Sequence, residues 1–236
     1  MCDVCRSGIV NRRAVLTAMG LATGVALSGF GSALAAGAGT SLGPDEALEK
    51  LVAGNEKYVR SPELCAYDLA TRRSDSAGSQ APWATIVSCA DSRVPPELLF
   101  GGLGVGDLFV ARNAGNMVDT ATMGTIEYGA AVLGVPLIVV LGHERCGAVA
   151  AACDVVTENT EFPGSIGPMV DAIVPAALAV KDNPGDFIDN AVRESAKRTA
   201  SQIPGTSKLV GDLVAAGKVK VLAARYDLDE GKVEYF

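Results

Sequence analysis

The sequence predicts an α/β fold: a single domain with a central, mainly parallel β-sheet flanked by helices, and an antiparallel edge strand at the C-terminus. Three observations predict it. Two short, continuous apolar runs rich in β-branched residues, 83–87 and 136–141, are bounded by Pro or Gly, as buried strands of a parallel sheet are. Each run leads into a cluster of chemistry-bearing residues, Cys89-Ala90-Asp91-Ser92-Arg93 and Gly142-His143-Glu144-Arg145-Cys146-Gly147. Parallel sheets carry their functional groups at the carboxyl ends of the strands, where both clusters would lie. Finally, the strong strand 219–226 is followed by Asp229-Glu230-Gly231, a tight turn into Val233-Glu234-Tyr235-Phe236, which makes the last piece antiparallel to its neighbour.

Size and charge bound the rest. A chain of 236 residues with 49% hydrophobic content buries one good core with a modest appendage. The formal net charge of -7 excludes the basic face that phosphate neutralisation requires, so no nucleic-acid partner is expected and small neutral or anionic substrates are. Six cysteines at these spacings do not make a disulfide scaffold.

Residues 1–35 read as a leader. Arg12-Arg13 precede a moderately apolar Gly/Ala-rich run that ends in the A-x-A pattern Ala33-Leu34-Ala35, and no acidic residue occurs from 4 to 41. This looks like a twin-arginine (Tat) signal peptide, so export to the periplasm, cell envelope or exterior of a bacterium is expected, with membrane contact only during export. The domain proper is then 36–236. Cys2 and Cys5 form a C-x-x-C without the second pair that a zinc or redox reading needs.

In order, Pro44 and two acids open a helix over 44–60. Residues 61–80, polar and hydroxyl-rich, predict a loop. Strand 83–89 precedes a short helix through Phe100, and 101–106 reads as a turn because no phosphate-binding Gly-Lys pattern accompanies its glycines. A second strand, 107–111, a helix over 120–133 and the third strand follow. Helices after His143, across 165–183 and across 186–217 complete the chain, with Pro168 and Pro175 kinking or breaking the second group and Pro204-Gly205 interrupting the third.

His143 is the only histidine, and it lies three residues before a Cys flanked by Gly. With Cys89 from the neighbouring strand end, Cys89, His143 and Cys146 offer two thiolates and one imidazole to a zinc ion. Three protein ligands leave a fourth position open, the pattern of catalytic rather than structural zinc. An unaccompanied Cys89 would be read as an ordinary buried thiol.

These motifs resemble the β-class carbonic anhydrases: C-A-D-S-R-V-P-P-E, then R-N-A-G-N, then I-E-Y, then G-H-x-x-C-G, in order and at similar separations. The resemblance implies one Zn2+ per subunit on Cys89, His143 and Cys146, and an ion-paired Asp91–Arg93 dyad beside it. It also implies a substrate pocket of Gln80, Phe109, Ala114 and Tyr128 with the Gly147 amide nearby. The implied reaction is reversible hydration of carbon dioxide to bicarbonate and a proton by attack of zinc-bound hydroxide. An N-terminal helical arm and a homodimer, or a higher even homo-oligomer, with sites near the interface are implied as well. Ile86 replaces the aromatic residue that marks the bicarbonate-regulated subgroup, which points to water rather than Asp91 as the fourth ligand. Glu144 departs from the small polar residue usual there, placing a carboxylate next to the site. Two other readings keep the same residues: a carbonyl sulfide or carbon disulfide hydrolase, and a non-catalytic zinc- or anion-binding module, which would have lost a ligand or a dyad residue.

Overall fold

The computed structural model describes residues 39–62 and 69–236. The leader over residues 1–35, with Cys2 and Cys5, and also Cys65 lie outside the described residues. Five strands form one sheet: β1 (Ala84–Cys89), β2 (Leu108–Asn113), β3 (Leu137–His143), β4 (Lys220–Tyr226) and β5 (Val233–Tyr235), in spatial order β2-β1-β3-β4-β5. The first four are mutually parallel, and β5 is antiparallel to β4.

Why β1 and β3 are apolar throughout follows from their place. Both are central and buried along their whole length, because helices cover both faces. Alternation sorts β3 between them: Leu137, Val139 and Leu141 face the core under α1 (Pro44–Arg60) and α3 (Pro96–Leu99), with Leu51, Trp83 and Phe100. Ile138 and Val140 face the opposite core with Ile126, Ala196 and Ile203. Truncating a fully buried side chain such as Leu141 to Ala costs about 2–5 kcal/mol.

Strand order also places the site. From β1 the chain crosses to β2 on one side, then returns to β3 on the other, so the carboxyl ends of β1 and β3 flank the point where the winding reverses. The pair Ser88–Leu141 puts Cys89 one step further, level with Gly142. His143 follows directly.

Helix ends obey local chemistry. Glu46 of α1 accepts the Gly43 amide at 2.8 Å, and Asp119 accepts Thr122 N at 2.8 Å to start α4 (Thr120–Glu127). Asp186 caps α8 (Phe187–Thr206), and Ser207 caps α9 (Lys208–Ala215). The remaining helices are α2 (Leu69–Ser76), α5 (Gly147–Glu158), α6 (Ile166–Asp171) and α7 (Val174–Val180). None of the described helices is long and apolar enough to cross a membrane.

Three elements differ from the sequence reading. The polar stretch expected as loop contains α2, fixed by a tertiary ion pair, Arg72 to Asp107 at 3.0 Å, rather than by an apolar stripe. The helix expected over 120–133 ends in a π-helical turn, Tyr128–Val132, where Leu133 N donates to Tyr128 O. Helix α8 runs through Pro204 and ends at Ser207, whose hydroxyl donates to Glu127 at 2.6 Å. So close to the end of α8, Pro204 removes one amide donor without stopping the helix.

One buried side chain ties distant parts together. Asn55 of α1 donates to Leu99 O at 3.0 Å and Gly231 O at 2.9 Å, and its oxygen accepts Val233 N at 2.9 Å.

Candidate metal centre

The structure brings Cys89, His143 and Cys146 together, with their ligand atoms all within 4.8 Å of one another. The two sulfurs are 4.0 Å apart. Two thiolates on one tetrahedral zinc, at Zn–S of about 2.3 Å, stand roughly 3.8 Å apart, so the spacing fits. His143 is wholly buried, and its Nδ1 lies 2.8 Å from the Glu144 carbonyl oxygen. A carbonyl only accepts, so Nδ1 carries the proton and a neutral ring leaves its lone pair on Nε2. That Nε2 is buried without a hydrogen-bond partner. An orphaned imidazole nitrogen facing two thiols is what a soft, tetrahedral metal such as zinc satisfies.

Each sulfur has backbone amides directed at it. Gly115 N approaches the Cys89 sulfur at 3.4 Å. Its φ of +80° suits glycine, and a Cβ there would lie 2.6 Å from Ile173 Cδ1 and 3.3 Å from Ala148 Cβ, so a larger residue would be strained at this position. Cys146 caps α5, where the amides of Ala148 and Val149 favour its thiolate. Without metal the two thiols compete. Hydrogen bonding from Cys146 pulls the Cys89 pKa down, while that partner and burial push Cys146 up.

Beside the sulfurs stands the dyad. Arg93 donates from Nε to Asp91 Oδ1 at 3.0 Å and from Nη2 to Oδ2 at 2.7 Å, and its backbone amide adds a bond to Oδ1 at 2.9 Å. Arg93 thereby holds the Asp91 carboxyl well below the usual carboxylate range. Asp91 Oδ2 lies 3.8 Å from His143 Nε2, so the carboxylate borders the position a metal would take. Sequence reasoning missed Arg112, which donates to Cys89 O at 2.9 Å and Asp91 O at 2.6 Å and so clamps the turn carrying a ligand and the acid. The R-N-A-G-N motif contained it, but a backbone clamp leaves no pattern in spacing.

Of the residues expected around the substrate, Ala114 and Gly147 neighbour the centre in sequence and space, next to Gly115 and Cys146. Gln80, Phe109 and Tyr128 do not join it within one chain. Phe109 pairs with Thr85, four residues before Cys89, which is about 13 Å along a strand. Tyr128 stacks on Phe109 with ring centroids 6.1 Å apart. Gln80 lines a cleft with Arg72, Ser76 and Asp107. The Glu144 carboxylate is engaged by Leu228 N at 3.1 Å, with Arg225 3.8 Å away. Cys153 is a free thiol pushed up to about 11 by burial.

Known proteins are similar to this chain in sequence and fold. The family model described as carbonic anhydrase matches residues 84–233. Carbonic anhydrase 2 of Mycobacterium tuberculosis is 35% identical over 189 residues, covering 80% of this chain and 91% of its own. A carbonic anhydrase of Mycolicibacterium smegmatis is 35% identical over 191 residues, covering 81% and 92%. Among solved structures, a Coccomyxa β-carbonic anhydrase in complex with acetazolamide superposes with a TM-score of 0.60 at 30% identity, over 79% of this chain and 85% of that one. On these matches, and with a mainly parallel sheet and a buried Cys-His-Cys trio of its own, the chain belongs to the β-class carbonic anhydrase family and is an enzyme of that class.

Proposed function

We propose that the protein catalyses the zinc-dependent, reversible hydration of carbon dioxide to bicarbonate and a proton, with Cys89, His143 and Cys146 holding the metal. The observation that carries this reading is the buried, unpartnered Nε2 of His143 facing two sulfurs 4.0 Å apart. Zinc bound there supplies a Lewis acid that brings the pKa of water toward 7. Asp91 does the orienting. As an ionised carboxylate it only accepts, so it takes a hydrogen bond from the reacting water and turns that oxygen's lone pair toward the electrophilic carbon. Arg93 keeps it charged and occupied, which supports water rather than Asp91 in the fourth position. Proton release has no free imidazole to use, since the single histidine is committed to the site, and falls to buffer, to water chains, or to a carboxylate or phenol such as Asp91 or Tyr128.

The test is metal content together with carbon dioxide hydration on purified protein, run beside carbonyl sulfide and carbon disulfide. Stoichiometric zinc and hydration as the dominant activity are expected. A zinc-free protein with full activity, or sulfide hydrolysis exceeding hydration, overturns the assignment.

We infer a homodimer or higher even homo-oligomer in which Gln80, Phe109 and Tyr128, distant from the sulfurs of their own chain, line the site of a second copy. Their remoteness along β1 and β2 and the half-buried edge strand β2 support this. A monomer in sedimentation with full activity counts against it. For the leader, the reading is export through the twin-arginine route after folding, which would let zinc protect the thiolates before they meet an oxidising exterior. Changing Arg12-Arg13 to Lys-Lys should leave unprocessed protein in the cytoplasm; an unchanged processed fraction would refute it.

A further inference from the structure

The two residues between His143 and Cys146 are both charged, and both reach the turn that joins β4 to β5. Glu144 is tied to the end of β4 and to that turn: its amide donates to Tyr226 O at 2.9 Å, Oε2 accepts Leu228 N at 3.1 Å, and Oε1 accepts from Arg145 Nη1 at 3.4 Å and stands 3.8 Å from Arg225 Nη2. Arg225 is a fixed point, because its side chain is 10% exposed and is held by Asp189 at 2.5 Å and Asp227 at 3.0 Å. Asp227 also accepts the amides of Asp229 and Glu230, which closes the turn. Arg145 is the second tie. It donates two bonds to Asp229, at 2.9 and 2.7 Å, from a backbone with φ of 52°, and its carbonyl faces Arg93 Nη2 at 3.5 Å.

A carboxylate one residue from a dithiolate site is poorly placed for charge, since it repels what the sulfurs must become. Here its oxygens are committed to Leu228 N and to the guanidinium groups of Arg145 and Arg225. What Glu144 turns to the site is its carbonyl, which accepts the Nδ1 proton of His143 and thereby decides which nitrogen is left for metal.

We propose that Glu144 is a positioning residue for His143: by latching the ligand loop to the β4–β5 turn, it fixes the carbonyl that holds the imidazole tautomer and aims Nε2 at the metal position. Arg145 and Asp229 form the outer half of the same latch, holding residue 145 in a left-handed conformation that favours glycine when unsupported. The inference deepens the zinc reading and rests on it. A latch that merely staples the hairpin would lower thermal stability and leave the metal unaffected, so the two roles separate by measurement.

The experiment compares Glu144→Ala, Glu144→Gln and Asn55→Ala with the parent protein. It reads the zinc dissociation constant by chelator competition at one pH, the visible spectrum of the cobalt-substituted protein, and Tm. Glu144→Ala should weaken zinc about 10- to 100-fold, the range for lost supports of a metal ligand, and shift the cobalt bands. Glu144→Gln, which keeps an acceptor for Leu228 N, should recover most of the affinity. Asn55→Ala removes two other bonds to the same hairpin and should lower Tm with zinc affinity changed less than about twofold, since Asn55 touches neither ligand nor latch. Parent-like affinity and spectrum in Glu144→Ala overturn the proposal, as does equal weakening in Asn55→Ala. Should Glu144→Ala fail to fold, Asp229→Asn reads the outer latch, and parent-like zinc affinity there overturns it. A parent protein that takes up no zinc, or Cys146→Ala with full zinc, overturns the underlying reading instead and is seen independently of residue 144.

Discussion

The turns after β1 and β3 share the work of presenting the candidate ligands, yet they are held by opposite means. The first is secured from nearby in sequence. Arg112, 23 residues after Cys89 and 21 after Asp91, bonds both carbonyls, and Arg93 closes on Asp91 two residues away. The second is secured from far off, by Leu228 and Asp229, each 84 residues from its partner. The first turn carries one candidate ligand and the acid, and is held by the single side chain of Arg112, which reaches both carbonyls from the exposed side of β2. The second carries two candidate ligands and is tied to a hairpin completed by the last strand. Damage to the first should therefore appear chiefly in turnover, and damage to the second chiefly in metal affinity.

The largest effect should come from removing a ligand of the second turn. Cys146→Ala leaves two protein ligands, too few for a tetrahedral catalytic site, and should lose nearly all zinc by elemental analysis and all measurable hydration. Next comes the acid of the first turn. Asp91→Asn should keep zinc but lower kcat by about 10²-fold or more, since the amide cannot hold an ionised acceptor beside the metal. If zinc falls as sharply as kcat, the division of labour between the turns is wrong.

The same residue makes a prediction in pH. Arg93 depresses the folded-state pKa of Asp91, so the stabilisation it brings is present above the unfolded carboxylate pKa of about 3.9 and is lost as pH falls through the folded value. Urea titrations from pH 5 downward should show the parent losing more stability than Asp91→Asn. Equal slopes would mean that Arg93 is paired as well in the unfolded chain.

Arg112→Ala should act in between, leaving the Cys89 and Asp91 carbonyls without their charged donor and costing about 1.5–3 kcal/mol in urea unfolding. Its kcat should fall more than its zinc affinity. The smallest effect is expected at Gly142→Ala. The new Cβ would lie 3.1 Å from Val192 Cγ1 and 3.4 Å from Val192 O, forcing α8 away from β3 by a few tenths of an ångström, at about 1–3 kcal/mol. Metal loss in this variant would show that the second turn depends on α8 as well as the hairpin.

Much of this was legible in the sequence because it is written in residue types. Apolar runs ending in Cys89 and in Gly142-His143 announced central strands, and the i, i+3 pair of His143 and Cys146 announced a ligand set. What stayed hidden was written in backbone atoms or in distant pairs. Arg112 works through two carbonyls, and Arg225 through carboxylates from α8 and the β4–β5 turn. Helix α2 has an ion pair instead of an apolar stripe. Glu144 read as an intrusive charge because spacing reports a residue's neighbour in sequence, whereas its carboxylate's neighbours lie 84 residues on.

That separation has a consequence for timing during synthesis. A ribosome adds about 5–20 residues per second, so the interval between making Cys146 and making Asp229 is roughly 4–17 s. During that interval a nascent chain owns its candidate ligands but lacks the latch and the partners that Asn55 finds at Gly231 and Val233. On the zinc reading, metal taken up then should exchange freely, and retention should begin once β5 has paired with β4. Chains arrested on the ribosome before residue 227 should give up zinc to a chelator quickly, and released chains slowly.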